Sequence, residues 1–141
     1  MTAKPIDLSS LDRALAQLHE ALCLWREEPQ GSVLKRHLCF AIIHSSELTY
    51  ALSVRLLKSV LIERSAAADL VTDLSFNDLL CKAADAGLVT APDMWRQWNE
   101  LRNFISLTHD ESTATEVAAG VERFATAAVE LLAVLEKSPG R

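Results

Sequence analysis

The sequence predicts an all-α protein, an antiparallel up-and-down four-helix bundle with a short extra helix in one crossover. Half of the 141 residues are apolar, whereas only four are Gly and four are Pro, a composition that favours long helices with few turns. Apolar residues recur at alternating spacings of four and three, the period of an amphipathic helix. The length suits one domain, residues 1–141 with an ordered core at about 8–137.

The first predicted helix spans residues 10–27. Ser9 or Ser10 can cap its N-terminus, with Asp7 and Asp12 near the positive end of the helix dipole. Its apolar stripe consists of Leu11, Leu15, Leu18, Leu22 and Trp25. One face of this helix therefore packs on a partner helix, and the Pro-Gln-Gly segment at 29–31 turns the chain.

The second predicted helix spans residues 32–64, in a stretch without Gly or Pro between Gly31 and Gly87. Its apolar residues form two stripes. The first consists of Leu34, Leu38, Ile42, Leu48 or Thr49, Leu52, Leu56 and Val60, and the second of Phe40, Ile43, Tyr50, Leu57 and Leu61. A helix that is apolar on two sides has two partners, which we expect to be its own bundle and a second subunit.

A connection over residues 65–74 leads to a short predicted helix over 76–86. Ser75 resembles the N-cap of this short helix, which ends at Gly87. Pro92 lies at or near the first position of the next helix, which frays near Leu107 or Thr108. The apolar stripe of that helix is Met94, Trp98, Leu101 and Ile105.

The last predicted helix runs to Lys137 and is capped by Ser112 or Thr113. Its apolar stripe is Val117, Val121, Phe124, Ala128, Leu131 and Leu135. No segment shows the alternating pattern of a β-strand. Four long helices and one short helix therefore form the predicted bundle.

Charge and cysteine content limit the classes of function. The net charge is −5 and the cations are scattered, which argues against strong nucleic-acid binding without sequence preference. The overall charge does not exclude a local basic cleft at a subunit interface. Cys23, Cys39 and Cys81 lie among apolar residues, so we expect buried free thiols. The polar N-terminus and the lack of a long uncharged run predict a cytoplasmic protein without a membrane segment.

Three segments share a pattern with known proteins: FNDLLCKAADAGLV at 76–89, MWRQWNELRN at 94–103 and THDE at 108–111. Together they resemble the nucleotidyltransferase substrate-binding protein family, which belongs to the HEPN superfamily. The residues that match the family pattern are Gly87, Leu88, Val89, Trp95, Arg102, Asn103, Asp110 and Glu111, with Glu47, Thr49, Tyr50, Leu52 and Lys58 upstream. The resemblance covers almost the whole chain, and the motifs are specific through their order and spacing together.

The resemblance implies a homodimeric helical bundle that partners a minimal nucleotidyltransferase encoded nearby. In such a pair the partner carries the metal and nucleotide chemistry. Many related pairs act as toxin and antitoxin, in which the HEPN protein is a metal-independent ribonuclease with Arg-x(4–6)-His pairs meeting in the dimer cleft. Nucleotide or RNA would then bind at that cleft. This sequence departs from the pattern, because Leu107 occupies the usual His position and His109 the usual Tyr position.

Arg102 and His109, with six residues between them, form the candidate catalytic pair. His supplies a base with a pKa near neutrality, and Arg supplies a fork for a phosphate. Alternatively, Arg102 pairs with Asp110, Glu111 or Glu47, and His109 is solvated. Both interpretations are open at the level of the sequence.

The remaining candidate residues concern binding of a substrate or partner. They are Asn103, Trp95, Asp110, Glu111, Glu47, Tyr50 and Lys58. Trp98 lies on the apolar stripe and is expected in the core, whereas Trp95 lies off it and is the better interface candidate. His19 and Cys23 lack further ligands at zinc spacing, and no phosphate-binding loop or catalytic triad is present. We therefore expect no metal and no cofactor.

Three functions follow from these observations. The first is a non-catalytic substrate-binding and partner subunit of a two-component nucleotidyltransferase system. The alternative is a HEPN ribonuclease toxin with a degenerate Arg-x6-His motif, and the third is a dimeric scaffold without a ligand. Leu107 at the usual His position favours the non-catalytic function, so the sequence leans away from an enzyme.

Overall fold

In the computed structural model, the described residues include five helices, and none of these residues forms a strand. The structure describes residues 7–64, 71, 73–107 and 114–137, without the side chains of 104–107 and 114–115. The helices are α1 Ser9–Glu27, α2 Val33–Arg64, α3 Phe76–Asp85, α4 Pro92–Leu107 and α5 Ala114–Lys137. The all-α prediction is confirmed, and the predicted helices lie within one or two residues of these bounds.

Helices α4 and α5 run antiparallel. Just before α4, the Thr90 hydroxyl donates a hydrogen bond of 2.9 Å to the Glu130 carboxylate. Further along α4, Leu101 lies against Gly120. Contacts therefore move towards the start of α5 as the chain advances along α4, which defines opposite directions.

The same reasoning makes α2 antiparallel to α4. Glu47 contacts Arg102, whereas Tyr50, one turn later on α2, contacts Asn99, one turn earlier on α4. Helix α1 joins α2 through a short connection at 28–32, so these two helices form an antiparallel hairpin. The four long helices thus run up, down, up and down, with α3 in the crossover between α2 and α4.

The core includes the apolar stripes that the sequence predicts for α1 and α5, except Trp25, which is half-buried. Leu11, Leu15, Leu18 and Leu22 of α1 are buried, as are Val117, Val121, Phe124, Ala128, Leu131 and Leu135 of α5. Burial of each large aliphatic or aromatic side chain contributes about 1.5–3 kcal/mol. Trp95, Trp98 and Phe124 are the largest fully buried side chains of this core.

The turns around α3 follow the expected chemistry. The Asp78 backbone N–H donates to the Ser75 hydroxyl at 3.2 Å, which caps the start of the helix. At the other end Gly87 has a φ of +75°, and the Leu88 N–H donates to the Ala83 carbonyl at 2.9 Å. This is a Schellman ending, in which Gly adopts the left-handed conformation at low cost.

The prediction of a serine cap for α1 is wrong. Ser9 is already helical, and Leu8 occupies the capping position without a side-chain hydrogen bond. Instead, the Asp7 carboxylate accepts hydrogen bonds from the Ser9 backbone N–H at 3.0 Å and the Ser9 hydroxyl at 2.6 Å. A carboxylate at a helix N-terminus binds free N–H groups and also interacts favourably with the dipole, so Asp7 replaces the expected cap.

The buried face of α2 differs from both predicted stripes. Leu34, Phe40 and Leu48 are exposed, whereas Ser46, Thr49 and Ser53 are fully buried together with Ile42, Leu57, Val60 and Leu61. The three hydroxyls donate to carbonyls of their own helix at 2.8 Å, and therefore no hydroxyl among them is buried without a partner. Small side chains let the neighbouring helices approach closely, which the hydrophobic pattern alone does not reveal.

The cysteine prediction is half right. All three thiols are free, but Cys23 and Cys81 are exposed and Cys39 is half-buried. Each exposed thiol lies on the outer side of its helix because the buried stripe passes through other residues. In the part of the chain that the structure describes, no helix combines the length and the apolar character needed to cross a membrane.

Candidate functional site

Four side chains from α2 and α4 form a polar corner, consisting of Glu47, Tyr50, Asn99 and Arg102. The Arg102 Nε donates to both Glu47 carboxylate oxygens, at 2.8 and 3.0 Å. Its Nη1 donates to the Asn99 side-chain oxygen at 3.3 Å. Arg102 therefore ties α2 to α4 and is the centre of the corner.

Tyr50 forms the floor of this corner. Its hydroxyl donates to the Asn99 side-chain oxygen at 3.2 Å, and the Arg102 guanidinium carbon lies 4.2 Å from its ring centroid. Such a cation–π contact is worth about 0.5–1 kcal/mol at a partly exposed site. The ring also packs against Phe76 and Phe124, with centroids at 5.6 and 6.3 Å. The corner is thus anchored in the core.

The electrostatics of the corner favour a neutral Tyr50 and a permanently charged Arg102. Hydrogen bonding to the Glu47 carboxylate raises the pKa of Arg102 above its usual value. Burial raises the pKa of Tyr50, and the positive charge of Arg102 partly opposes that shift. The Arg102 and Glu47 side chains are 28% and 41% exposed, so solvent still reaches the ion pair.

Of the alternatives left open for Arg102, the structure shows the pairing with Glu47. His109, Asp110 and Glu111 lie outside the described residues, so the predicted Arg102–His109 pair stays a prediction. Asn103 follows Arg102 on α4 and is exposed. Lys58 lies eight residues beyond Tyr50 on α2, about 12 Å further along the helix axis.

The prediction that Trp95 lies at an interface is wrong for this chain. Its side chain is 1% exposed, and its ring meets Phe124 edge-on at 5.3 Å between centroids. Trp98 is buried as predicted and stacks on the same Phe124 ring at 5.0 Å. Both indoles fill the space between α4 and α5 because their common partner, Phe124, projects between them.

Sequence reasoning missed Asn99, which accepts hydrogen bonds from both Tyr50 and Arg102. The sequence did contain the signal, because Asn99 and Arg102 are three residues apart and therefore share a face of the helix.

Sequence reasoning also missed a groove of about 630 Å³ between α4 and α5. The groove is lined by Met94, Gln97, Trp98, Glu100, Leu101, Glu116, Ala119, Gly120 and Arg123. Among the described side chains, the buried Trp98 Nε1 finds no acceptor.

No cluster of three potential metal ligands occurs within the described residues. The polar corner contains a cation, a carboxylate, an amide and a phenol, a set suited to recognition through hydrogen bonds. The fold and this corner together define a class, an up-and-down helical bundle with an arginine-centred polar corner.

Comparison with known proteins gives the family. The family model described as "Nucleotidyltransferase substrate binding protein like" matches residues 6–137, and the chain belongs to this family. It is similar to a Haemophilus influenzae protein named "Probable ribonuclease HepT", with 26% identity over 128 residues and 88% of each chain covered.

A solved structure has the same fold. The chain is similar to HI0074 from Haemophilus influenzae, which is described as the fold of a substrate binding domain of a nucleotidyltransferase. The TM-score is 0.83 at 26% identity, and the match covers 92% of this chain and 99% of HI0074. The resemblance stated from sequence motifs is therefore confirmed at the level of the family.

Proposed function

We propose that this protein is the non-catalytic substrate-binding and partner subunit of a two-component nucleotidyltransferase system. The family match and the likeness to HI0074 support this function. In this proposal the subunit acts as a cytoplasmic homodimer, and a separate minimal nucleotidyltransferase, encoded nearby, supplies the metal and nucleotide chemistry.

The observation that carries the proposal is the state of Arg102. Its Nε is engaged by both Glu47 oxygens, its Nη1 by Asn99, and its face by Tyr50. A guanidinium already neutralised by a carboxylate offers less to a phosphate than a free one would. Arg102 is therefore better suited to shaping a recognition surface than to stabilising a cleavage transition state.

The test is co-purification with the nucleotidyltransferase encoded beside this chain. We expect a stable complex in size-exclusion chromatography with light scattering, with a mass that requires two copies of this chain. Arg102→Ala should weaken the complex, whereas Arg96→Ala, which removes an exposed i,i+3 ion pair, is the matched control. A monomer that forms no complex with the nucleotidyltransferase would contradict the proposal.

A second candidate is a HEPN ribonuclease of a toxin–antitoxin pair. The similarity to the protein named "Probable ribonuclease HepT" favours it, and Arg102 with His109 would then act at the dimer cleft on RNA. Expression should arrest growth, and both Arg102→Ala and His109→Ala should relieve the arrest. His37→Ala, on the exposed side of α2, is the control. Harmless expression of the unaltered chain, without RNA cleavage by the purified dimer, would exclude the ribonuclease.

A third candidate is a dimeric scaffold that binds neither nucleotide nor RNA. It shares the homodimer with the first proposal and differs in lacking a ligand. Calorimetric titration of the dimer with nucleoside triphosphates and short RNA, in the presence and absence of the nucleotidyltransferase, separates the two. Heat on addition of a nucleotide to the complex would favour the substrate-binding function.

A further inference from the structure

The groove between α4 and α5, called the α4–α5 groove below, has the volume of a small-molecule site. Its volume of about 630 Å³ falls within the range of about 300–1,000 Å³ that ligand pockets span. On the α5 side, the chain has Ala119 and Gly120 where larger side chains would fill the space. On the α4 side, the Leu101 side chain occupies the place where a Cβ of Gly120 would stand. The floor of the groove is therefore apolar.

Trp98 adds a buried donor to this floor. The residue is 1% exposed and stacks on Phe124, and it also lines the groove. Its Nε1 N–H is buried and has no acceptor among the described residues. A buried donor without a partner costs about 1–3 kcal/mol, and such a group in a folded protein calls for an explanation. An acceptor atom of a bound ligand would satisfy this N–H.

Access to that nitrogen depends on the side chains next to it. Met94 lies one turn before Trp98 on α4 and Leu101 one turn after it, so the three share a face of the helix. All three line the groove, and Met94 and Leu101 are only partly buried. A methionine side chain is unbranched and adapts readily. A ligand can therefore move the Met94 side chain aside and bring an acceptor to the indole nitrogen.

The charged residues of the groove are separated along its length. Arg123 lies level with Trp98, because the Trp98 ring stacks on the adjacent Phe124. Glu116 lies seven residues earlier on α5, about 10 Å from Arg123 along the helix axis. Both Arg123 and Glu116 are exposed and line the groove, as is Glu100 of α4. One end of the groove is therefore positive and the other is negative.

These features select a zwitterionic ligand. A ligand rich in phosphate is a poor match, because the groove has one Arg and two Glu and phosphate binding favours clustered cations. A purely apolar ligand would leave the Trp98 N–H without an acceptor. A ligand satisfies every feature if its carboxylate lies level with Arg123, its apolar middle lies on Leu101 and its ammonium group lies beside Glu116.

We propose that the α4–α5 groove binds a zwitterionic small molecule of about dipeptide size. Its carboxylate accepts hydrogen bonds from Arg123 and the Trp98 N–H, and its ammonium group pairs with Glu116. The site is separate from the polar corner, which lies where Arg102 meets α2. The inference does not depend on the proposed function, because it concerns a ligand that the purified chain binds by itself.

The probe is the dipeptide Lys-Leu, whose side-chain ammonium and carboxylate can lie about 10 Å apart. Calorimetric titration into the purified chain measures its affinity. Two matched probes each lack one charge: Lys-Leu amide lacks the carboxylate, and norleucyl-leucine lacks the side-chain ammonium. Each should bind the unaltered chain about threefold more weakly than Lys-Leu, as expected for partly exposed charge pairs.

Variants of the groove should remove these differences one at a time. Arg123→Gln should bind Lys-Leu and its amide equally, and Glu116→Gln should bind Lys-Leu and norleucyl-leucine equally, since each variant removes the group that distinguishes the two probes. Ala119→Phe should abolish binding because the ring fills the groove. Ala133→Phe, further along the exposed side of α5, is the matched control and should bind like the unaltered chain.

Nuclear magnetic resonance tests the contact with the indole. The nitrogen-labelled chain has one indole N–H signal for each of its three tryptophans, and Trp98→Phe identifies the signal of Trp98. On addition of Lys-Leu, this signal should move downfield, as for an N–H that gains an acceptor. The signals of Trp25 and Trp95 should move much less.

Several outcomes would overturn the inference while the proposed function stands. They are no binding of Lys-Leu by the unaltered chain, equal binding of the three probes, a Trp98 signal that stays unchanged at saturation, and undiminished binding by Ala119→Phe. Circular dichroism on every variant separates loss of binding from loss of folding, and Arg123→Gln and Glu116→Gln leave the floor of the groove intact. Loss of the nucleotidyltransferase complex in a folded Ala119→Phe would assign the groove to a protein contact and overturn the inference as well.

Discussion

Arg102 shows how a single side chain can join two helices and still remain partly hydrated. It contacts a carboxylate and an aromatic ring on α2 and an amide on its own helix. Each contact alone is modest, since exposed ion pairs contribute about 0–1 kcal/mol. Together they fix the orientation of the guanidinium, which is the property that a recognition surface requires.

Glu47→Gln should destabilise the protein by about 1 kcal/mol, because it leaves the half-buried Arg102 charge without its carboxylate. Glu122→Gln breaks the more exposed pair with Arg26, where the side chains are 50% and 41% exposed, and should cost less than about 0.5 kcal/mol. Urea unfolding measures both changes. An equal loss in the two variants would show that burial of the corner adds nothing.

Tyr50 should make stability depend on alkaline pH. Its pKa is raised by burial, so the folded state keeps the phenol proton to higher pH than the unfolded chain. The stabilisation is complete below a pH of about 10, the ordinary tyrosine pKa, and is lost as the pH rises through the folded-state pKa. Tyr50→Phe should therefore lose less stability than the unaltered chain across that interval.

The pKa of Tyr50 can be measured directly, because it is the one tyrosine among the 141 residues. Ultraviolet absorbance of tyrosinate during an alkaline titration reports this residue without assignment. The midpoint should lie above that of the unfolded chain in denaturant. Removing the positive charge that opposes the shift, as in Arg102→Leu, should move the midpoint higher while the fold remains intact. Coincident midpoints for the folded and unfolded chains would refute the burial argument.

Thiol reactivity should also follow burial. Burial raises the pKa of Cys39, whereas Cys23 and Cys81 are exposed. Since the thiolate is the reactive form, Cys39 should be alkylated more slowly than the other two at neutral pH. Mass spectrometry after timed alkylation measures the three rates. The difference should disappear in denaturant.

At the scale of the element, helix α2 marks the limit of reasoning from hydrophobic pattern. The α1 and α5 stripes could be predicted because every inward residue is apolar. In α2 the inward positions include Ser46 and Ser53, which a hydrophobicity pattern assigns to solvent, and Thr49, which the sequence offered as the alternative to Leu48. Their hydroxyls are satisfied within the helix, so their burial is energetically acceptable.

Close packing at Ser53 yields a prediction of its own. Ser53→Leu should overfill the contact of α2 with the bundle and cost about 1–3 kcal/mol. Ala51→Leu, on the exposed side of the same helix, should change stability by less than about 0.5 kcal/mol. Equilibrium unfolding in urea compares the two. A neutral Ser53→Leu would mean that α2 lies further from its neighbours than the structure indicates.

At the scale of the whole molecule, one aromatic cluster joins α2, α4 and α5. Trp95 and Trp98 pack on Phe124, and Tyr50 approaches the same ring. The sequence predicted Phe124 and Trp98 in the core. The prediction for Trp95 is wrong, because a helical wheel shows the direction of a side chain around the helix axis but not how closely a neighbouring helix packs against it.

Phe124→Ala should destabilise the fold by about 3–5 kcal/mol, as expected for a large cavity in a core. The tryptophan fluorescence should shift to longer wavelength as water reaches Trp95 and Trp98. Phe40→Ala removes a ring that is 57% exposed, and both stability and emission should stay close to those of the unaltered chain. A small loss on Phe124→Ala would show that the bundle collapses around the missing ring.

The polar corner could be foreseen only in part. Glu47, Tyr50 and Arg102 were singled out because they match a family pattern, and the structure brings these three together. Lys58 matches the same pattern but lies too far along α2 to join them. The separation of Lys58 from Tyr50 follows from their spacing on one helix, whereas the approach of Arg102 to α2 depends on how two helices pack, which a linear motif does not encode.

The exposed thiols have a practical consequence for measuring assembly. Cys23 on α1 and Cys81 on α3 are accessible without engineering, and each lies on a different helix of the bundle. Nitroxide tags on these two sulfurs, with Cys39 replaced by Ala, would report magnetic dipolar distances within one chain and across any pair of chains. The same tagged sample, mixed with an untagged excess, would separate the distances within a chain from those between copies.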